Sequence, residues 1–519
     1  MESARQSLSS TTSNVSLNTS STSIEPRTWL KALLLFLGTS LLYFLTRSPG
    51  LDEIDSVNFA MGVRHYNLWL HQPQPPGYPL YIFGGFLGSL IGVDSNTSLH
   101  FASAIGGALL VGAWFIIIRL QFNERLAWWV ALCLAVTPVI WMTSTKVLTD
   151  CLAAGILSTQ ILAAVHFTKS GRTGSLFATG LLGAAAIAGR PGLVLVAFVV
   201  LGTALWRGPN VQRKWKILSW VILIGACLIW LLPVWCMQSK LKPDVAAGAV
   251  YPGLVYNFWA ARLHNPTNFL FAGDWSPKYL GIRCAFHFLG WFGVGFGFLQ
   301  SWLALVIGAA MSIAGVIAYW LARKEPADSE FWKFHLPWAL VQIAGIFINL
   351  PASQRYYVVI FPLLLVLLLR GVLQLRQPWN KMAFVLPAVL LFTSIPVAIA
   401  NHRDEAPPIR LIQYLQKLYP PDQRSRVVLL LSTRTKRHFE WYSPDFVIVN
   451  PIPPQDKIPE VTKDAVAVYT DDPVATLPAN WYRVPLNAFC RSVIIYWKVH
   501  YLELYFVSRP GKPPDRQDR

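Results

Sequence analysis

Charge is scarce in this sequence. Only 13% of its 519 residues are Asp, Glu, Lys or Arg, and 54% are hydrophobic, whereas a soluble domain carries about a quarter charged residues. An ordinary soluble globular chain is thereby excluded. Acidic residues are the scarcer kind, 26 against 44 basic, for a formal net charge of +18. In a soluble chain that surplus would suggest nucleic acid. Here Lys and Arg sit mainly in short loops between apolar runs, where they set membrane topology, so no nucleic-acid partner is expected. The six cysteines include no CxxC pair, and several lie inside apolar runs, which argues against a disulfide or zinc framework. Large apolar side chains are nearly missing from the first 24 residues, which cannot bury enough surface to offset the entropy of ordering. Residues 1–28 therefore read as a disordered cytoplasmic tail. The apolar segment behind them lacks a small-residue cleavage site and reads as a retained first span. No internal repeat of fixed period stands out.

Long apolar runs, by contrast, recur from residue 29 to residue 400, predicting a mainly α, polytopic transmembrane helical bundle. Spans are expected near 29–46, 99–118, 126–143, 148–168, 174–189, 191–206, 217–236, 301–322, 334–350, 357–373 and 381–400, about eleven in all. With the amino terminus cytoplasmic, the inner loops carry Arg119 and Arg125; Lys169 and Arg172; Arg207, Arg213, Lys214 and Lys216; Arg323, Lys324 and Lys333; then Arg370, Arg376 and Lys381. Every inner loop is basic, as the positive-inside rule asks. Phe286 to Gln300 reads as interfacial, because a further span there would reverse the sidedness of all that follows. Two long outer segments result, 47–98 and 237–300. From residue 401 to 519, "VVLLLST", "DFVIVN" and "AVAVYTDD" read as strands and "IRLIQYLQKLY" as a helix, predicting a small extracytoplasmic α/β domain.

This topology gathers ionisable residues that are scattered in sequence. Asp52, Glu53 and Asp55 follow the first span; Lys146 and Asp150 start the fourth; Arg190 lies between the fifth and sixth; Arg355 opens the tenth. All are expected at the outer face. Ionisable groups at the hydrocarbon edge cost a few kcal/mol unless paired or wet, so their shared depth points to one polar cavity. Each alone is equally a side chain snorkelling to the interface. Between them, "LHQPQPPGYPLYIFGG", Leu70 to Gly85, holds four prolines in seven positions. Proline removes a backbone donor and fixes φ, which suits a stiff turn lining a water-filled cavity and holding Asp55 against a fixed wall. The alternative is that the prolines start an interfacial or re-entrant helix, "LYIFGGFLGSLIG".

These residues resemble the GT-C superfamily of multi-span glycosyltransferases, particularly family 39, which includes protein O-mannosyltransferases and lipid A aminoarabinose transferases. "DSVNFA" supplies Asp55, Phe59 and Ala60, similar to that family's outer-loop Asp followed four and five places on by an aromatic and an alanine. "QPPGYPLY", Gln74 to Tyr81, resembles its Lys-Pro-Pro element with Gln in place of Lys. "LTD" at Leu148 to Asp150, "GRPG" around Arg190 and "RYYVVIFPLL" at Arg355 to Leu364 resemble its fourth-span acidic motif, its fifth-to-sixth-span turn and its late Arg-Tyr motif. The likeness runs in order through residues 29–400. The family's Asp-Glu pair is split here, with Asp52 and Glu53 ahead of Asp55, so the acting carboxylate is Asp55 or Asp52.

The resemblance implies an integral membrane enzyme, expected in a bacterial inner membrane, that moves a sugar from a polyprenyl-phosphate donor to an acceptor hydroxyl at the outer face with inversion. The acceptor is a protein, a lipid or a polysaccharide. Asp55 is the expected base, with Asp52 as the alternative. Arg190 and Arg355 are the expected phosphate partners, since a guanidinium fork matches phosphate oxygens and stays charged. Asp150, Lys146, His71, Gln74, Tyr78 and Tyr356 complete the expected substrate-binding set. The reading requires no cofactor, although a divalent cation beside the acidic cluster, with Glu53 as a ligand, stays open. The aromatics from Tyr251 to Trp275 are expected to anchor at the interface or to cover the cavity. The competing class is a transporter or flippase of an anionic lipid or solute, which would place its charges near the bilayer midplane on broken helices.

Overall fold

The computed structural model describes residues 24–241, 251–263, 326–348, 354–491 and 501–508, with isolated positions between 281 and 320. The expected interfacial stretch 286–300, most of the expected span 301–322 and most of the tail lie outside the described residues.

Every other apolar run read as a span falls on helix. The bundle comprises α1 (Pro26–Leu45), α4 (Ser95–Gln121), α5 (Glu124–Val136), α6 (Pro138–Ser144), α7 (Thr149–Ser170), α8 (Thr173–Gly189), α9 (Val194–Arg207), α10 (Arg213–Lys240), α12 (Pro326–Ile348), α13 (Phe361–Leu373) and α14 (Val385–Arg403), with α11 (Tyr251–Leu263) following α10. Among the described residues, five helical stretches are long and apolar enough to cross a membrane, six if a bent pair counts as one; Thr173–Gly189, Pro191–Arg207 and Phe361–Leu373 are apolar but shorter. Length and composition alone single out these among the runs read as spans. The expected span 126–143 is not one straight helix: α5 and α6 meet at 56°. Pro138 causes the break, because it has no N–H to offer the carbonyl four residues back and its ring crowds that carbonyl.

The bundle's tightest seam runs between α4 and α7. A Cβ on Gly106 would lie 2.2 Å from the Leu152 Cα, and one on Gly155 would lie 2.1 Å from the Gly106 carbonyl oxygen. Within lipid, where burial between helices gains little, small residues let backbones approach and gain dispersion contacts. Gly106→Val is therefore expected to destabilise the bundle by about 1–3 kcal/mol. A melting temperature equal to wild type in the same detergent would show that the seam can open.

The first outer segment, 47–98, is more regular than a loop. It contains α2 (Ile54–Arg64) and α3 (Pro79–Leu90), joined through the short turn Leu68–Leu70 and the prolines. The interfacial or re-entrant helix weighed from the sequence is thus a helix, while α2 is an addition. Ser56 through Gly62 are all buried in α2, and a helix covered on every side shows no amphipathic period in its sequence.

The carboxyl-terminal unit is the expected α/β domain. It contains α15 (Pro407–Leu418), β1 (Val427–Leu430), α16 (Thr433–Tyr442), β2 (Val447–Val449), β3 (Ala467–Thr470), β4 (Tyr482–Cys490) and β5 (Tyr501–Ser508). The sheet order is β2-β1-β3-β5-β4. β1 runs parallel to β2 and β3, while β5 is antiparallel to both β3 and β4. β1, β2 and β3 match the three expected strands. β4 and β5 escaped because Arg483, Pro485 and Glu503 interrupt their apolar character and an irregularity at Pro485/Asn487 breaks the alternation.

The domain docks on the first outer segment through α16. His438 Nε2 donates to the Leu51 carbonyl at 3.0 Å, and the Leu51 N–H donates to the Tyr442 hydroxyl at 2.9 Å. Arg437 donates to the Leu70 carbonyl at 2.6 Å, and the Arg64 guanidinium lies 3.7 Å from the Trp441 ring centroid.

Candidate active site

Two helix starts carry the central carboxylates. Asp55 sits in the first turn of α2 and Asp150 in the first turn of α7, where the unpaired N–H groups and the helix dipole favour negative charge. Arg355, in the helical turn Gln354–Val359 ahead of α13, joins them. Its Nη2 donates to Asp55 Oδ2 at 2.7 Å, its Nη1 donates to Glu53 Oε2 at 3.1 Å, and its Nε lies 3.8 Å from Asp150 Oδ2. Arg190 approaches Asp150 from the other side. Its Nη1 donates to Asp150 Oδ1 at 2.5 Å and to Thr149 Oγ1 at 3.4 Å. The Tyr356 ring lies under both arginines, with centroid distances of 4.7 Å to Arg190 and 5.6 Å to Arg355. Burial works against the charge of Arg355, but Glu53, Asp150 and Asp55 outweigh it and hold the guanidinium well above its ordinary value. Arg190 is raised in the same way, chiefly by Asp150 against burial.

The proline loop forms the wall of this cluster. Gln74 Nε2 donates to Asp55 Oδ1 at 2.8 Å, so Asp55 is held on both oxygens. Tyr66 donates to the Gly77 carbonyl at 3.0 Å, and Tyr251 donates to the Pro76 carbonyl at 2.8 Å. Gly77 has φ 118°, and a Cβ there would lie 2.1 Å from the Tyr66 hydroxyl oxygen, so glycine is required on both counts. Tyr78 packs edge-on against Phe59, 5.2 Å between centroids.

The expected residues do not all share one space. Asp55, Glu53, Asp150, Arg190, Arg355, Gln74 and Tyr356 come together. Asp52 and Lys146 form a separate knot with Arg491: Lys146 Nζ donates to Asp52 Oδ2 at 2.6 Å, Arg491 Nη1 lies 3.0 Å from the same oxygen, and Ser48 Oγ donates to Oδ1 at 2.6 Å. All three charged side chains are 1% exposed. The cavity expected to include Asp52 and Lys146 therefore excludes them, because a carboxylate at this depth is covered on all sides by its own partners. Burial raises the proton affinity of Asp52, but Arg491 and Lys146 more than offset this and hold it well below the ordinary carboxylate range. Lys146 is brought down to about 8 by burial, aided by the Arg491 charge and opposed by Asp52. His71 ends the turn Leu68–Leu70 with φ 55° and is exposed at the surface of the loop. Arg491 was not visible from the sequence, since one Arg after an unrecognised strand carries no signal.

Glu53 is engaged with Arg355. Among the described residues, no three His, Cys, Asp or Glu side chains are grouped so as to hold a metal ion.

Beside the cluster runs an apolar groove of about 600 Å³, lined by Pro76, Pro191, Trp230, Trp235, Tyr251 and Tyr256 among others. Pro191 follows Arg190 directly, and Pro76 belongs to the loop that carries Gln74. Two residues of its lining are thus chain neighbours of the cluster. Of the aromatics expected to cover the cavity, Tyr251 and Tyr256 line this groove, while residues 264–275 lie outside the described residues.

Residues 74–236 match the family described as dolichyl-phosphate-mannose-protein mannosyltransferase. No curated protein matches the sequence. Among solved structures, ArnT from Cupriavidus metallidurans bound to undecaprenyl phosphate aligns with a TM-score of 0.53 at 14% identity, over 93% of this chain and 99% of that one. The Archaeoglobus fulgidus oligosaccharyltransferase, tethered with an acceptor peptide containing the NVT sequon, aligns with a TM-score of 0.50 at 12% identity, over 85% of this chain and 69% of that one. The chain has the fold of these proteins, and the resemblance to GT-C glycosyltransferases of the family 39 type read from its motifs is borne out.

Proposed function

We propose that this protein is an integral membrane glycosyltransferase that moves a sugar from a polyprenyl-phosphate donor to an acceptor hydroxyl, with inversion, at the outer face of a bacterial inner membrane. The observation that carries the reading is a partly exposed carboxylate, Asp55, clustered with Arg355, Asp150 and Arg190, while Pro76 and Pro191 of the same chain segments line an apolar groove. The fold shared with a protein that binds undecaprenyl phosphate supports it.

In the proposed step the isoprenoid chain occupies the aromatic groove and the phosphate lies against Arg190. Both hydrogen bonds found for Arg190 run through Nη1, and its side chain is 21% exposed. The fork therefore has donors to offer a phosphate oxygen. Asp55 takes the proton of the acceptor hydroxyl as that oxygen attacks the anomeric carbon. The bond from the anomeric carbon to the phosphate oxygen breaks, and polyprenyl phosphate leaves with its charge held by the guanidinium. Asp55 suits the role better than Asp52, because its side chain is 20% exposed while that of Asp52 is 1% exposed. Arg355, bonded to Glu53 and Asp55, is given the task of orienting the base, a change from the phosphate role expected for it. The transporter reading lacks comparable support: the bend between α5 and α6, at Thr137 and Pro138, carries no ionisable side chain.

The test is acceptor-dependent release of polyprenyl phosphate by the purified protein in lipid, using a panel of polyprenyl-phosphate sugars and an extract of cell-envelope acceptors. Folded protein that releases none from any donor would sink the reading. Arg190→Lys keeps a cation beside Asp150 but loses the planar fork, and is expected to lower kcat/KM for the donor about tenfold or more. Unchanged kcat/KM in that variant would remove Arg190 from the donor phosphate.

A further inference from the structure

We infer that the carboxyl-terminal domain sets the position of the catalytic carboxylates, and that Arg491 is the residue through which it does so. The catalytic half of this inference rests on the glycosyltransferase reading above; the positional half does not.

Arg491 follows β4 directly and is anchored within its own domain, since Arg410 of α15 donates to the neighbouring Cys490 carbonyl at 2.9 Å. Its guanidinium leaves that domain and ends at Asp52 Oδ2, beside Lys146. Asp52 lies three residues ahead of Asp55, and Lys146 lies four ahead of Asp150. One buried carboxylate therefore ties together the two chain segments that launch α2 and α7, the helices whose first turns carry the site acids.

Two further hydrogen bonds stitch the same two segments side by side. The Ser48 N–H donates to the Thr145 carbonyl at 3.0 Å, and Ser56 Oγ donates to the Val147 carbonyl at 2.9 Å. Asn401, near the end of α14, donates to Thr145 Oγ1 at 3.2 Å and accepts from Arg491 Nη2 at 3.4 Å. Without Arg491, the Asp52–Lys146 pair keeps its Coulombic attraction but loses the charged contact that fixes it to the sheet domain. The starts of α2 and α7 are then held only to each other and are free to shift together against the rest of the site. A carboxylate that must meet a hydroxyl at hydrogen-bond distance is sensitive to displacements of about 1 Å. Arg491 is thus a positioning residue: it touches no reacting atom and acts through Asp52.

The experiment uses the full chain in lipid nanodiscs and reads two quantities, amide hydrogen exchange by mass spectrometry and steady-state kinetics with the donor identified as above. In Arg491→Met, peptides covering residues 48–58 and 145–152 are expected to exchange about tenfold faster, while β1 and β3 peptides keep their protection. On the kinetic side kcat is expected to fall about tenfold with donor KM nearly unchanged, because positioning of the base is disturbed and the lipid groove is not. Arg491→Lys restores the charge and is expected to recover most of both effects. In an Asp52→Asn background, Arg491→Met is expected to add little further loss, the signature of two residues acting as one unit.

Unchanged exchange in 48–58 and 145–152 would overturn the inference, as would faster exchange with unchanged kcat. If Arg491→Met also loses β1 and β3 protection, Arg491→Lys carries the decision: wild-type exchange and kcat in that variant support a positioning charge, and losses as large as those of Arg491→Met overturn it. If wild type transfers no sugar at all, the glycosyltransferase reading fails by itself, while the exchange data still decide whether Arg491 holds the two helix starts.

Discussion

Asp55→Asn is expected to lower kcat by about 10²–10⁴-fold while the protein stays folded and inserted. The substitution is nearly isosteric. The amide oxygen can keep the contact from Arg355, while the new NH2 group faces Gln74, whose own amide must turn over to accept from it through Oε1. Glu53 also remains on Arg355. What the amide cannot do is take a proton at neutral pH, so the loss should fall on the chemical step and leave donor KM nearly untouched. The check is single-turnover transfer at saturating donor, alongside a melting curve. Wild-type kcat in a folded Asp55→Asn variant would exclude Asp55 as the base.

Asp52→Ala should act on a different quantity, removing stability before it removes chemistry. The substitution leaves Lys146 and Arg491 facing each other in a site where both are 1% exposed. Breaking a buried ion pair by deleting one partner typically costs about 3–5 kcal/mol. The pH dependence has a definite sign. A carboxyl held below its ordinary value contributes stability that is fully present above about pH 4 and is lost progressively as the pH falls below it. Wild type should therefore lose stability on acidification through this group, and Asp52→Asn should show a shallower acid limb from a lower starting point. Thermal unfolding between pH 7 and pH 3 distinguishes the cases. An Asp52→Ala variant as stable as wild type would show that the knot carries no net stability. A loss of kcat in a fully stable Asp52→Asn variant as large as that expected for Asp55→Asn, well beyond the roughly tenfold effect of a displaced base, would move the base assignment to Asp52.

The apolar runs were readable because lipid imposes a length and a composition on any helix that crosses it, and the loop charges add direction. Strands β1 to β3 likewise left local marks in the sequence, whereas the α5–α6 bend inside the run 126–143 and the α4–α7 seam were not read from it. α2 does not: buried on all sides, it shows neither a polar face nor a long apolar run. In the site, residues at motif positions such as Asp55, Asp150, Arg190 and Arg355 could be read together because topology puts them at one end of the bundle. Which of them pair could not be read. Asp52 and Asp55 are three residues apart and chemically identical, and their separation into a sealed knot and an open cluster depends on Arg491, more than 400 residues further along the chain. Long-range pairing of that kind has no local period or spacing to betray it.

The open cluster and the buried knot carry opposite excesses. Glu53, Asp55 and Asp150 stand against Arg190 and Arg355, one carboxylate in excess, while Lys146 and Arg491 stand against Asp52, one cation in excess, and Lys146 acts on Glu53 across the boundary. The acid-rich cluster is thus kept beside a cation that is sealed from water and that salt screens little. A substitution in the knot therefore reaches the site acids through the electric field as well as through the backbone.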